Sequence, residues 1–371
     1  MCRSISISIL CLLACIISAC RSDLLQESVS SCEYARYFDI VEIADSAHEK
    51  AVVVISPYNN SRDTLMIDRP FDNIVCMSTS QVAGLSELGV DSHITAVSGL
   101  KYITNPNIRN RSAHSNGTLR PIYDVGYEAS LDFERIIKLK PDVVLTYTIS
   151  GAEPQYISKL RSLGVRVLML HDHLENHPLA RAEYIRLYGA LVGRQAFADS
   201  VFNSISQHYV SLASKSTESK QKKRVLMNVP FGDAWYIPGA DSYMSRLIQD
   251  AGGVVVGAEP GTASSRVIGM EEAYSLSLES DIWLNPGPCR TRQELVDYHH
   301  AFRFFGPIAN ELPIYNNTLR MTPEGGNDFW ESGSVRPDLI LEDLVSILSS
   351  YIMAGEQDCS DSHLKYHFKV E

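Results

Sequence analysis

The stretch His171-Asp172-His173-Leu174-Glu175-Asn176-His177 puts three imidazoles and two carboxylates into seven positions. His173 and His177 are four apart, the spacing that lets two imidazoles share one helix face and one metal ion. On residue types alone this is a candidate zinc site, which would make the protein a metal enzyme or a metal carrier. No signature of bond-making chemistry accompanies it. The chain has no G-x-x-x-x-G-K-[ST], no G-x-S-x-G and no H-E-x-x-H, and no spacing singles out a Ser/His/Asp triad.

Of the eight cysteines, Cys2, Cys11, Cys15 and Cys20 fall in the leader. Cys32, Cys76, Cys289 and Cys359 are scattered singly with no C-x-x-C pair, so neither a zinc ribbon nor a disulfide-dense scaffold is indicated, and one long-range disulfide stays open.

The elements that must position these residues begin after a targeting segment. Arg3 precedes an apolar run from Ile5 to Ile17, too short for a bilayer span and suited to a secretory signal. It ends Ile17-Ser18-Ala19-Cys20, which resembles a bacterial lipobox with Cys20 as the lipidated residue; an ordinary signal peptide with a chance cysteine is the alternative. The expected product is an extracytoplasmic protein, lipid-anchored to a bacterial membrane. The net charge of −11 argues against a nucleic-acid-binding surface. The 45% hydrophobic and 21% charged composition is that of a globular protein with full cores. About 350 mature residues correspond to two domains.

Residues 21–50 read as a polar tether, and the β-type runs 51–56 and 64–67 as a hairpin. From Asn73 short apolar strands alternate with helices, implying a parallel sheet covered on both faces. Strands are expected at 74–77, 94–97, 143–147 and 165–170, and helices at 80–88, 131–139 and 155–163. Pro178 then opens one long helix to about Ser214. The alternation resumes with strands near 225–229, 254–256 and 282–284 and helices at 243–250 and 270–276. Pro337 opens a last helix, and the tail HLKYHFKV suits an edge strand. "LDFERIIKLKPDVVL" and "MEEAYSLSLESDIWL" echo each other, Leu131, Asp142 and Leu145 matching Met270, Asp281 and Leu284. The expectation is an α/β protein of two Rossmann-like lobes joined by one long bridging helix, with a ligand cleft between them. Its divisions are a signal peptide (1–20), tether and hairpin (21–72), N-terminal lobe (73–177), bridging helix (178–215), C-terminal lobe (216–352) and tail (353–371).

The segments "DVGYEASLDFERIIKLKPDVVLTY", "KLRSLGVRVLML", "FGDAWYIPGADSYMSRLIQDAGG", "DIWLNPG" and "NDFWESGSVRPDLILEDL", in that order, resemble the extracytoplasmic substrate-binding proteins of ABC importers that carry ferric siderophores, haem or vitamin B12. The resemblance implies no catalysis and no cofactor of the protein's own. It also implies an iron chelate, haem or cobalamin as ligand, a permease with its ATPase as partners, and a monomer. It makes HDHLENH a solvated turn at the cleft rim, capped by Asn176, with a zinc protein or an enzyme as lesser readings.

A large, partly flat ligand needs broad aromatic faces and a few orienting polar groups. Ligand-binding candidates are Ser80, Tyr127, Tyr147, Trp235, Tyr236, Tyr243, Arg320 and Trp330, with Phe329 and Arg266 beside them. In haem-binding members a tyrosine in a similar Gly-Tyr context supplies a phenolate, a hard donor for ferric iron, which makes Tyr127 the axial-ligand candidate. The resemblance also implies one permease-docking acid per lobe, and Glu153 and Glu294 are the candidates.

Overall fold

The computed structural model describes residues 31–43, 50–111, 120–216, 222–350 and 363–371. The leader, Cys20 and Cys359 lie outside them. A three-stranded antiparallel sheet, β1 (Phe38–Glu42), β2 (Lys50–Ile55) and β3 (Arg62–Ile67), opens the chain. The hairpin is the expected one. The tether reading fails for residues 31–43, because two buried carboxylates hold their backbone. Glu183 accepts from the amides of Glu33, Tyr34 and Ala35 at 2.7–2.8 Å. Glu175 accepts from Arg36 and Tyr37 at 2.7 and 3.1 Å.

The N-terminal lobe is a parallel sheet of β4 (Ile74–Cys76), β5 (Ile94–Val97), β6 (Tyr123–Asp124), β7 (Val143–Tyr147) and β8 (Val167–Leu170), in the order β6-β5-β4-β7-β8. Its inner strands are buried nearly throughout, and mostly apolar, because helices cover both faces. The strand order reverses between β4 and β7, which opens a crevice beyond their C-terminal ends.

The C-terminal lobe repeats the plan. Strands β9 (Lys223–Met227), β11 (Gly253–Val255), β13 (Ile282–Leu284) and β14 (Ile314–Asn316) are parallel. The tail strand β15 (Phe368–Lys369) closes the edge antiparallel to β14. A separate ribbon pairs β10 (Trp235–Ile237) with β12 (Arg266–Ile268).

The echo in the sequence has a physical counterpart. The Asp142 amide donates to the Asn73 carbonyl, and its carboxylate accepts from the amides of Asp72 and Asn73 at 3.0 and 3.1 Å. Asp281 bonds the backbone of Arg224 in the same way, its carboxylate accepting from the Arg224 amide at 2.8 Å. Each aspartate fixes the start of its lobe's first strand.

The bridging stretch is two helices, Pro178–Leu191 and Gln195–Ser216, and not the single one expected. They part at Gly193, whose φ of +68° is left-handed and whose added Cβ would stand 2.8 Å from Pro70. The first helix is buried on nearly every side because both lobes and β1–β2 pack on it, and one buried apolar cluster runs through it from lobe to lobe. Cys76 and Cys289 are separate buried thiols. No helix among the described residues is long and apolar enough to cross a membrane.

Candidate functional site

The loops after the parallel strands face one another across the hinge at 171–181. On the N-terminal side a cavity of about 610 Å³ is lined by Ser78, Ser98, Lys101, Tyr102, Tyr127 and Tyr147, among others. Asp124, ending β6, organises this wall by accepting from the amides of Gly99, Leu100 and Gly126. Gly126 is required there: φ is +75°, and a Cβ would meet the Ser130 carbonyl at 2.5 Å. The turn presents Tyr127 half-exposed, its hydroxyl 3.3 Å from that of Tyr147. Burial, and then the hydrogen bond to Tyr127, push the Tyr147 phenol up, so it stays protonated at neutral pH.

On the C-terminal side a cavity of about 630 Å³ lies between the hinge and the lobe. Its walls include His173 and Arg181 of the hinge, Asn228, Ser264 and Asn285 of the strand-end loops, Tyr243, and Trp330. The rings of Tyr147 and His173 stand 5.8 Å apart, so the two cavities are neighbours. Trp330 is held by interlobe bonds on either side of it. Thr104 Oγ1 donates to Asp328 at 2.8 Å, and the amides of Thr104 and Asn105 donate to Glu331 at 2.7 and 2.9 Å. Burial raises Glu331 to about 6.

The histidine-rich stretch is a buried hinge, not a solvated turn. His171, Asp172 and Glu175 are buried, and His177, not Asn176, caps the helix, its Nδ1 accepting from the Leu179 amide at 3.1 Å. Its imidazoles diverge. His171 lies against Tyr37 and Tyr58, His173 against Tyr147, and His177 against Tyr34 and Tyr209. Among the described residues no three His, Cys, Asp or Glu side chains are grouped to hold a metal ion. Burial lowers His171 to about 4 and lowers His173 too, so both are neutral at pH 7. Burial raises Glu175 to about 7.

Of the candidate binding residues, Tyr127, Tyr147, Tyr243 and Trp330 line the two cavities. Trp235 does not. It is 1% exposed, stacked on Trp283 and Phe305, and its indole N–H donates to the Met227 carbonyl. Strand alternation turns its neighbour Tyr236 outward instead, onto the surface. Phe329 is buried as well. The Ser80 hydroxyl is committed to Asp172 at 2.8 Å; its neighbours Ser78 and Thr79 face the cavity. Arg320 pairs with Asp328 at 2.6 Å and stacks over Tyr366, while Arg266 pairs with Glu272, so neither guanidinium lines these cavities. Glu153 pairs with Arg161 at 2.5 Å, and Glu294 accepts from the Arg290 amide at 2.6 Å in the first turn of its helix. Sequence reasoning missed Arg181 and Asn285. For Arg181 the available signal was a charged residue inside a helix buried on nearly every side, where burial demands a partner; Asn285 carried none.

Residues 74–293 match the model of the periplasmic binding protein family. The chain belongs to that family. Its members bind solutes for transport and are not enzymes, and that absorbs the missing catalytic motifs. An uncharacterized lipoprotein of Methanocaldococcus jannaschii is 22% identical over 82% of this chain and 71% of its own length. Two solved structures share the fold of this binding protein. The possible iron-binding, periplasmic solute-binding protein of Staphylococcus epidermidis superposes with a TM-score of 0.56 at 17% identity, over 75% of this chain and 98% of its own. The periplasmic vitamin B12 binding protein BtuF of Vibrio cholerae superposes with a TM-score of 0.54 at 14% identity, over 76% and 99%.

Proposed function

We propose that this protein is the substrate-binding component of an ABC importer and captures a ferric complex of the siderophore type in the interlobe cleft. The observation that carries the reading is the pair of adjoining cavities at the strand ends, each of a volume suited to a small-molecule site. Phenols line one wall; an indole and amides line the other. Such a lining excludes water over a broad area and orients the ligand with few polar groups. The names of the iron-binding and B12-binding relatives support the ligand class. The hinge, packed by both lobes, and the Glu331 tie support a largely preformed cleft. The protein works, in this reading, as a monomer outside the cytoplasmic membrane, anchored through Cys20. Glu153 and Glu294, both beyond strand ends, meet the permease by exchanging their present partners for its cationic groups.

A second reading rests on Tyr127. Its half-exposed phenol at the cavity edge suits an oxygen donor to ferric haem. Cobalamin is the other ligand within this class.

Calorimetric and visible-absorption titrations with ferric siderophores, hemin and cyanocobalamin, with zinc as control, separate these readings. A ferric siderophore bound with an affinity that Tyr127→Phe leaves unchanged is the expected result. A hemin band lost in Tyr127→Ala establishes the second reading. Zinc binding alone, abolished by changing His173 and His177, removes both.

A further inference from the structure

The C-terminal cavity has an unusual charge. The chain carries a net −11, yet among the described residues this cavity is lined by no aspartate, glutamate or lysine, and Arg181 is its one formal charge. The Arg181 guanidinium is held from three sides. Its Nε donates to the Glu175 carbonyl at 3.1 Å, one terminal nitrogen donates to the His173 carbonyl at 2.8 Å, and its plane lies 3.8 Å from the Tyr243 ring centroid. The other terminal nitrogen makes no hydrogen bond among the described residues, and no carboxylate there pairs with the group. Its two acidic neighbours are engaged elsewhere, Asp172 with Ser80 and Glu175 with the amides of Arg36 and Tyr37.

Three further lining residues carry shielded polar atoms without partners. Among the described residues the Tyr243 hydroxyl, in a residue 5% exposed, makes no hydrogen bond, and neither does Asn285 Oδ1. His173 has no well-formed hydrogen bond, a loose contact to the Thr148 backbone apart. Shielded polar atoms left unpaired are destabilising, and an enclosed cation with no carboxylate bonded to it more so. A ligand oxyanion relieves the guanidinium and the Tyr243 hydroxyl, because both are donors and the guanidinium adds charge; Asn285 Oδ1, an acceptor, would take a donor of the ligand instead.

We propose that this cavity is an oxyanion subsite, in which Arg181 and Tyr243 take an acidic group, a carboxylate or a phosphate, of the ligand. The inference rests on the cleft being the ligand site and narrows the ligand to an anionic one. Arg181 supplies the charge, and Tyr243 braces the guanidinium and adds a donor.

Calorimetry on the purified protein tests this with ferric citrate as the anionic chelate, ferrichrome as the neutral one, and free citrate and inorganic phosphate as iron-free anions. Arg181→Gln should weaken ferric citrate roughly tenfold or more and ferrichrome less than about twofold. Because Arg181→Gln also removes hinge bonds, Ser264→Asp is the companion variant. It sets a carboxylate on an exposed stretch of the same cavity, leaves the hinge untouched, and should show the same selective loss. Free citrate against phosphate tells which acid the subsite prefers. Anionic and neutral probes weakened alike, anionic probes indifferent to both variants, or no anionic probe bound at all would overturn the subsite. Ferric chelates bound tightly with no response to either variant reject the subsite and keep the importer reading. Citrate or phosphate bound through Arg181 with no gain from iron keeps the subsite and rejects the iron complex.

Discussion

Asp142 and Asp281 hold the first strand of their respective sheets by the same backbone bonds, one in each lobe. At the opposite ends of those sheets the likeness stops. The N-terminal lobe presents Tyr102 and Tyr127 on turns organised by Asp124, with Tyr147 at the end of β7 beside them, whereas the C-terminal lobe presents serines, amides and Trp330 around Arg181. Strand starts are constrained by the sheet, so both lobes keep one solution. Strand ends face the cleft, so each wall is free to suit a different part of one ligand.

The largest effect that would break this comparison is expected at Trp235. If it is core and not cleft, Trp235→Ala should cost about 4 kcal/mol of stability in denaturant unfolding, and the folded fraction should bind ligand normally. Next come the paired aspartates. Asp142 is buried and Asp281 half-buried, so Asp142→Ala should cost about 3 kcal/mol and Asp281→Ala about 1. Equal losses would mean that burial does not set the difference.

A smaller effect is expected at the hinge. Glu175, raised to about 7, holds a proton in the folded state that the unfolded chain releases above about 4.5. Stability therefore falls as pH rises through that window. His171, lowered to about 4, acts in the opposite sense below 6.5. The His171 contribution is common to both proteins, so the clean comparison is Glu175→Gln against the parent between pH 5 and 8. The variant's advantage should grow by on the order of 2 kcal/mol from pH 5 to pH 8 in thermal melts, and a constant offset across that range would contradict the assignment.

The scaffold was legible because its signals are local: apolar runs, helix-closing glycines, and the aspartate echo at equal spacing. The site was legible only in part. Gly126-Tyr127 and Phe329-Trp330 read correctly as loops, but in Trp235-Tyr236 a two-residue alternation decides which ring faces the core, and a short ribbon leaves no longer pattern to set its phase. HDHLENH read as solvated because it is dense in polar groups. Its acids are instead paired far along the chain, Glu175 with the amides of Arg36 and Tyr37, 139 and 138 residues away, and Asp172 with the Ser80 hydroxyl, 92 away, and no local pattern records that. For the same reason residues 31–43, polar in composition, read as tether.

The chain has three tryptophans. Trp235 and Trp283 stack in the core, and Trp330, 45% exposed, lines the cavity. Fluorescence titration of the parent protein and of Trp330→Phe with a ferric chelate therefore reads the cleft directly. Occupancy of the cleft predicts strong quenching in the parent, largely lost in the variant while calorimetry still detects binding. Quenching that survives unchanged in Trp330→Phe, or binding that leaves the parent's emission untouched, would place the ligand elsewhere.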